Sequence, residues 1–254
     1  MPTAEHDHRF GRQSGSSYYG RPGPDGNHCV VAVDRPRLFA GIDPPVYEEI
    51  CRLGRTHQFL RGEVLHLESD PVRRVIMLTS GSVKLTKVGR TGNEVILRLV
   101  GVGDFLGTEG LLDCGRYCAT AQVFHPCAAL IWDVQVLSRA LDRHPIVRQN
   151  LMAILEEHLR EMEDRFREVA TERVGARLAL QLMRLMKSVG RPVSSGIEIA
   201  VSREDLAQMT GTTLFTVSRF LSAWECRGTV KARRNAVEIC DVNSLCHLCE
   251  EAPE

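Results

Sequence analysis

Residues 202–240 read SREDLAQMTGTTLFTVSRFLSAWECRGTVKARRNAVEIC, and the order of residue types in this stretch decides the fold of the C-terminal part of the chain. Ser202, followed three residues later by Asp205, is typical of a capped helix start. Gly211 permits a sharp backbone turn, and a threonine after it can cap a second helix that runs to about Cys226. The pattern predicts two helices joined by a tight turn.

The residues after the second helix predict a basic hairpin. Gly228 ends the helix, and two short apolar runs flank a turn of two arginines and an asparagine at 233–235. Residues 172–239 contain eleven lysines and arginines against six acidic residues, although the whole chain is formally neutral. A basic module with this layout, a winged helix-turn-helix, is typical of proteins that contact DNA phosphates.

The predicted second helix has an inward face of Val217, Phe220, Leu221 and Trp224. Its opposite face carries short polar side chains and one long cation, which are groups suited to base edges and phosphates. The candidate DNA contacts on the helices and the hairpin are Arg203, Thr212, Thr213, Phe215, Thr216, Ser218, Arg219, Arg233 and Arg234.

Between residues 59 and 132, short apolar and β-branched runs alternate with glycine-containing corners. Examples are VIML at 75–78 and VILRL at 95–99, with a glycine-containing hairpin through 89–93 between them. Many short strands with glycine corners indicate an antiparallel roll or barrel. We therefore predict an α+β protein with an N-terminal antiparallel β-roll of the double-stranded β-helix or jelly-roll type.

From about residue 145 to 170 the apolar residues follow a helical period, which predicts a long helix. An apolar stripe with steps of 4, 3, 4 and 3 residues consists of Leu155, Leu159, Met162, Phe166 and Val169. Charged residues fill the positions between them. Such a stripe favours a two-stranded contact between two copies of the chain, although it could also pack on the β-roll.

With 254 residues, the chain is long enough for two domains with cores of their own. The predicted segments are a disordered tail over 1–36, a β-roll domain over 37–145, a dimerisation helix over 146–171, a winged helix-turn-helix over 172–243 and a cysteine-containing tail over 244–254. No apolar stretch approaches the roughly 20 residues of a membrane span, and the N-terminus lacks a secretory pattern. These features predict a cytoplasmic protein with no membrane partner.

The order of β-roll, long helix and winged helix-turn-helix resembles the CRP/FNR family of bacterial transcription regulators over about residues 38–243. The matching stretches are FLRGEVLHLESD at 59–70, TSGSVKLTKVGRTGNEVILRLVGVGDFLGTEGLL at 79–112 and SREDLAQMTGTTLFTVSRFLSAWECRG at 202–228. The resemblance implies a homodimer on a palindromic operator in double-stranded DNA, with RNA polymerase as a further partner. It also implies a β-roll that senses a signal and transmits it to a hinge at about 170–173.

The resemblance also bears on the signal. Cyclic-nucleotide binders of this family use a glutamate and an Arg-Ser or Arg-Thr pair, and at those positions this chain has Thr108 and Cys118-Ala119. Without a correctly placed guanidinium, a cyclic phosphate lacks its charge partner, so cyclic AMP is not expected as the effector. The family's haem sensors would need an axial ligand near 107–110, where neither histidine nor cysteine stands.

Nine cysteines leave redox or oxygen sensing open, and the cofactor itself is unknown. The family's oxygen sensors hold an iron-sulfur cluster on thiolates. The candidate metal ligands in this chain are Cys240, Cys246 and Cys249, which follow the basic hairpin. The alternative is that these cysteines pack a short terminal helix together with Leu245 and Leu248.

The resemblance implies an altered base preference at one position. Many family members place a glutamate three residues before the position of Ser218, where it accepts a hydrogen bond from cytosine, and this chain has Phe215 there. An aromatic ring can contact a thymine methyl group but cannot accept that bond. Arg219 can still bind guanine through two hydrogen bonds. We predict a half-site that keeps this guanine and is relaxed or thymine-preferring opposite Phe215.

The sequence shows no phosphate-cradling glycine loop, nucleophile elbow or metalloprotease helix, so no enzymatic activity is predicted. The predicted function is sequence-specific transcription regulation in response to redox state, oxygen or a small effector other than cyclic AMP. The alternative is an effector-independent or architectural DNA-binding protein whose β-roll only stabilises the dimer.

Overall fold

In the computed structural model, which describes residues 35–90, 92–112 and 115–250, a β-roll precedes several helices and a second, smaller sheet. The predicted disordered tail lies outside these ranges, except for its last two residues. The predicted α+β class, with a β-roll, a long helix and a C-terminal winged helix-turn-helix, is confirmed. Within the described ranges, no helix is both long and apolar enough to cross a membrane.

Short strands with glycine corners build the β-roll. Its strands are β1 (Arg55–Phe59), β2 (Val64–His66), β3 (Arg74–Val88), β4 (Glu94–Val100), β5 (Phe105–Leu106) and β6 (Thr120–Asp133). They pair in antiparallel fashion in the order β1-β6-β3-β4, with β2 also on β6 and β5 on β3. The two longest strands, β3 and β6, place Ile76 opposite Ile131 and Leu85 opposite Ala121.

Strand β3 continues through Gly81, well beyond the apolar run at 75–78 that the sequence shows. Gly81 has a φ of 71°, and a Cβ atom at this position would lie 2.2 Å from the carbonyl oxygen of Pro126. Only glycine fits such a conformation and such a close approach. The register of β3 against β6 shifts between Leu78 and Val83, so a bulge bends one long strand instead of ending it.

Two short helices that the sequence pattern does not reveal pack against the β-roll. They are α1 (Pro44–Arg52) and α2 (Val134–Leu141). Between them, the fully buried Trp132 donates its indole N–H to the carbonyl oxygen of Ile50 at 2.7 Å. Asp133 caps α2 by accepting from two backbone N–H groups. Helices of 9 and 8 residues are too short for their apolar period to stand out.

The long helix α3 spans Pro145–Thr171, in agreement with the predicted helical period. Its N-terminal half packs Val147 and Leu151 into the core of the β-roll. Glu172 has an extended backbone with a ψ of 148°, which ends α3. Helix α4 (Val174–Val189) begins two residues later.

The predicted helix-turn-helix and its basic hairpin are both present. Their elements are α5 (Arg203–Thr210), α6 (Leu214–Cys226), β9 (Val230–Ala232) and β10 (Val237–Ile239). The hairpin of β9 and β10 is called the wing below. Its strands pair in antiparallel fashion, with Lys231 opposite Glu238.

A second hairpin and a terminal helix complete this module. The hairpin was not predicted, whereas the helix is the alternative given above for the segment that contains Cys246 and Cys249. Strands β7 (Arg191–Val193) and β8 (Gly196–Ile199) extend the sheet in the order β7-β8-β10-β9. Proline and glycine hide β7 and β8 in the sequence, although an edge strand tolerates proline. Helix α7 (Val242–Glu250) packs Leu245 and Leu248 into the core of the module.

One hydrophobic core joins the helix-turn-helix to the β-roll. Its fully buried members include Leu182, Leu206 and Leu221. Ile96 of β4 and Phe124 of β6 belong to the same cluster. The C-terminal module therefore packs directly on the β-roll.

Candidate nucleic-acid interface

Local hydrogen bonds fix the first turns of α5 and α6. The Ser202 hydroxyl accepts from the Asp205 backbone N–H at 3.1 Å, and the Asp205 carboxylate accepts from the Ser202 backbone N–H at 3.1 Å. This reciprocal pair is the predicted capping box. Gly211 has a φ of 63°, a left-handed conformation in which glycine avoids strain. The Thr213 hydroxyl then caps α6 by accepting from the Thr216 backbone N–H at 3.2 Å.

Helix α6 has one buried face and one exposed face. Val217 and Leu221 are fully buried, and Trp224 is 4% exposed. Phe215 and Leu214, by contrast, are 75% and 52% exposed. Two adjacent large apolar side chains that remain open to solvent mark a candidate contact surface. This surface lies on the first turn of α6.

An open cleft of about 450 Å³ separates α6 from the wing. Helix α6 lines it with Leu214, Ser218 and Ser222, which lie on one face because they are four residues apart. The wing lines the other side with Arg234 and Asn235. The first turn of α5 completes the lining with Ser202, Arg203 and Glu204.

The predicted DNA contacts lie on the elements around this cleft. Those that are exposed are Thr213, Phe215, Arg219, Arg233 and Arg234, and those that are half-buried are Arg203, Thr212, Thr216 and Ser218. Arg219 lies over the ring of Phe220, with 5.3 Å between the guanidinium carbon and the ring centroid. Sequence reasoning missed Leu214, Ser222 and Asn235 as lining residues. Extending the four-residue spacing from Ser218 in both directions would have found the first two.

Two carboxylates fasten the wing. Glu225 of α6 accepts from the Ala232 backbone N–H at 3.1 Å. Glu238, which is 1% exposed, forms an ion pair of 3.3 Å with Arg233. Arg203 donates to the carbonyl oxygen of Arg233 at 3.3 Å, which links the first turn of α5 to the wing.

The apolar stripe of α3 divides between two surroundings. Leu155 packs against the core of the β-roll. Leu159, Met162, Phe166 and Val169 are between 57% and 78% exposed. Apolar side chains that stay so open along one helix face form a surface of the kind that a second helix covers.

Polar contacts connect the end of α3 to the helix-turn-helix. The buried carboxylate of Glu168 in α3 binds the guanidinium of Arg184 in α4. Arg184 also donates to the Gln181 side chain at 3.3 Å, and Gln181 donates to the sulfur of Met209 in α5 at 3.4 Å. A shift in the position of α3 would therefore be transmitted to α4 and α5 through these contacts.

The residues at the positions aligned with a cyclic-phosphate site do not fit that ligand. Thr108 begins a 3-10 turn, Cys118 is exposed and Ala119 is 6% exposed. The guanidinium of the exposed Arg116 donates to the carbonyl oxygen of Ser69 at 2.6 Å. At the described positions of this segment, which exclude 113 and 114, no arginine is placed to hold a cyclic phosphate as the family's binders do.

Next to this segment, the imidazole of His66 stacks on the ring of Tyr117. The ring centroids are 3.6 Å apart and the planes differ by 6°. Both side chains are less than a tenth exposed, and the Tyr117 hydroxyl donates to the carbonyl oxygen of Arg74 at 3.1 Å. Burial lowers the pKa of His66 to about 4 and raises the pKa of Tyr117. The stacked pair is therefore uncharged at neutral pH.

The low pKa of His66 predicts a loss of stability in mild acid. The unfolded chain takes up a proton on His66 below about pH 6.5, whereas the folded chain does so only near pH 4. The free energy of unfolding should fall by about 3 kcal/mol as the pH drops through this window. His66→Phe keeps the stack and removes the titration, so its urea-unfolding free energy should depend less on pH than that of the wild type.

The difference in pH dependence between the wild type and His66→Phe reports on the titration of His66 alone. Burial also lowers the pKa of His125 and His158, but these residues titrate in both proteins. Identical pH dependence of the wild type and His66→Phe would contradict the assignment.

The candidate cysteine ligands are not gathered in this structure. Among the described residues, no group of three or more histidine, cysteine or acidic side chains is arranged to hold a metal ion. The thiol of Cys240 points to the carbonyl oxygen of Glu238 at 3.9 Å, and that of Cys249 donates to the carbonyl oxygen of Leu245 at 3.4 Å. In this arrangement Cys240, Cys246 and Cys249 do not fit an iron-sulfur cluster, which needs several thiolates around one centre.

Comparison with known protein families matches both parts of the chain. Residues 56–144 match the cyclic nucleotide-binding domain family, and residues 176–248 match the Crp-like helix-turn-helix domain family. The structure of FixK2 from Bradyrhizobium japonicum has the same fold, with a TM-score of 0.70 at 22% identity. That likeness covers 79% of this chain and 99% of FixK2.

Curated relatives extend the match over most of the chain. A CRP-like cAMP-activated global transcriptional regulator of Mycobacterium tuberculosis is 24% identical over 213 residues, which cover 83% of this chain and 95% of the relative. A global nitrogen regulator of Synechococcus elongatus is 29% identical over 170 residues, which cover 65% of this chain and 76% of the relative. These relatives are transcription regulators and not enzymes. The chain belongs to the CRP/FNR family of DNA-binding transcription regulators.

Proposed function

We propose that this chain works as a homodimer that binds a palindromic operator and regulates transcription together with RNA polymerase. The observation that carries the proposal is the exposed first turn of α6, which lies beside the open cleft lined by Arg203 and Arg234. The exposed part of the apolar stripe on α3 supplies a surface on which a second copy can pack. As a DNA-binding regulator without a membrane partner, the protein would act in the cytoplasm.

Each subunit would place α6 in the major groove. The bases would face Phe215, Ser218 and Arg219, and the phosphates would face Arg203, the threonines of the turn and the basic wing. Because the dimer is two-fold symmetric, the two copies of α6 would enter the groove about one helical turn apart, and half-site centres would be spaced by about 10 base pairs. Selection of binding sites from random duplexes tests this arrangement, and a selected site without two-fold symmetry would contradict it.

Phe215 and Arg219 should set different base preferences. The selected half-site should keep a guanine opposite Arg219 and should be relaxed or thymine-rich opposite Phe215, because a ring offers no acceptor to cytosine. Phe215→Glu should move that one position towards cytosine, with a discrimination of about 1–3 kcal/mol against other bases. Phe215→Gln introduces a side chain of the same length as glutamate but without its negative charge, and it serves as the control. Selection of the same cytosine-containing site by the wild type and Phe215→Glu would contradict this assignment.

The β-roll would sense redox state, oxygen or a small effector other than cyclic AMP. The dimer would have two states that differ in the position of α3. A signal that binds one state more tightly than the other changes the spacing of the two copies of α6 and hence the affinity for DNA. The uncharged His66–Tyr117 pair, the exposed Cys118 and the buried Ala119 offer no positive charge, which supports an effector that does not depend on a phosphate clamp.

Purification of the protein without oxygen, followed by measurement of its colour, iron content and operator affinity, distinguishes the possible effectors. An iron-containing, coloured protein that loses both colour and operator affinity in air would identify an oxygen or redox sensor. Operator affinity that rises with cyclic AMP would contradict the effector assignment. Equal affinity with and without oxygen, reductant and nucleotides would favour the alternative in which the β-roll only stabilises the dimer.

A further inference from the structure

Glu238 is a buried carboxylate at the centre of the small sheet. It lies on β10, opposite Glu198 of β8 and Lys231 of β9, and only 1% of its surface is exposed. One carboxylate oxygen accepts from the hydroxyl of Ser195 in the β7–β8 turn. The other oxygen binds the guanidinium of Arg233 at 3.3 Å. A carboxylate this deeply buried needs such partners, because an isolated buried charge is very costly.

Arg233 is held at several points. Its backbone N–H donates to the carbonyl oxygen of Ala236 at 2.8 Å and closes the turn of the wing. Its carbonyl oxygen accepts from Arg203 at 3.3 Å, and its side chain binds Glu238. Arg234, the next residue, is exposed and lines the cleft, and its side chain makes no hydrogen bond or ion pair with another described residue.

The two wing arginines therefore differ in the charge they can offer to DNA. The side chain of Arg233 is 55% exposed, but its positive charge is already compensated by Glu238, and a phosphate that bound its remaining N–H groups would lie near the Glu238 carboxylate and be repelled by it. The Glu238–Arg233 pair is neutral as a unit, whereas Arg234 brings an uncompensated positive charge to the cleft. We propose that Glu238 reserves Arg233 as the structural cation of the wing, so that Arg234 is the arginine of the wing turn that contacts phosphate.

This assignment rests on the proposed DNA-binding function and specifies which arginine of the wing turn contacts the DNA backbone. Salt dependence distinguishes the two arginines, since each lost phosphate contact makes the slope of log affinity against log salt concentration shallower by about 0.9. The probe is a fluorescent DNA duplex of random sequence, because phosphate contacts do not depend on base identity. Full-length wild type, Arg234→Ala, Arg233→Ala, Glu238→Gln and the Arg233→Ala/Glu238→Gln double variant are compared by fluorescence anisotropy and by thermal unfolding.

Arg234→Ala should make the slope shallower by about 0.9 for each bound wing and leave the melting temperature unchanged. Arg233→Ala should lower the melting temperature while keeping the wild-type slope. Glu238→Gln can still accept from Ser195 but releases Arg233, so the slope should become steeper by about 0.9 for each wing. The double variant should recover the stability that Arg233→Ala loses, because it removes both members of the pair.

The proposal would be overturned if Arg233→Ala made the slope as shallow as Arg234→Ala does, or if Glu238→Gln left the slope unchanged. A wild type without salt-dependent DNA binding would instead contradict the proposed function. In that case the melting temperatures of Arg233→Ala and of the double variant would still test the ion pair itself.

Discussion

Phe166→Asp is expected to separate the proposed dimer into monomers. Phe166 is 78% exposed on α3, between Met162 and Val169, which are also open to solvent. In a two-fold helical contact these side chains would meet their copies in an apolar interface. A carboxylate placed there would have to be desolvated without a counter-charge. We expect a cost of at least about 3 kcal/mol, which corresponds to dimerisation that is weaker by roughly 150-fold.

Sedimentation velocity at micromolar protein concentration measures this change, and anisotropy with the selected operator measures its effect on DNA binding. Arg160→Asp is the matched control, because Arg160 lies on the same helix, is exposed and, among the residues that the structure describes, forms an ion pair only with Glu156. Surface pairs of this type contribute at most about 1 kcal/mol, so this variant should remain a dimer. A Phe166→Asp protein that sediments as a dimer would show that α3 does not form the contact.

Arg184→Met should cause the largest loss of stability in the C-terminal module. Arg184 is the counter-charge of Glu168, whose side chain is 7% exposed. Removal of one partner of a buried pair leaves the other charge uncompensated and typically costs about 3–5 kcal/mol. Because Glu168 belongs to α3 and Arg184 to α4, the same change should loosen the connection between the long helix and the helix-turn-helix.

Urea unfolding followed by tryptophan fluorescence tests this expectation. The chain has two tryptophans, Trp132 in the β-roll and Trp224 in the helix-turn-helix, so a Trp132→Phe background reports on the C-terminal module. Arg184→Met combined with Glu168→Leu should regain most of the lost stability, since an apolar pair of similar size can replace a buried ion pair. Arg167→Met, which breaks exposed pairs with Asp164 and Glu172, should cost less than about 1 kcal/mol. A loss for Arg184→Met no larger than that of Arg167→Met would argue against the buried pair.

The helix-turn-helix illustrates how far the sequence alone leads. The capping box, the left-handed Gly211 and the buried face of α6 all follow from contacts within four residues along the chain. Local patterns of this kind are written directly into the order of residues. For the same reason the long helix α3 agrees with its predicted period, whereas the short α1 and α2 carry too few apolar residues to be recognised.

The roles of individual side chains in this protein depend on partners that are distant in sequence. Leu155 and Phe166 share one apolar period, but only the structure shows that the first packs on the β-roll and that the second stays exposed. Arg233 and Arg234 are equivalent as neighbours in the sequence and differ because β10 places Glu238 under one of them.

The sequence by itself determined the fold class, the period of the long helix, the two helices and the turn of the helix-turn-helix, and the family resemblance, because these depend on local period, caps and turns. Only the tertiary structure decided which side chains are buried, paired or open to a partner. Those properties arise when strands such as β8, β9 and β10 come together, and they depend on burial and electrostatics between segments that the linear order leaves apart.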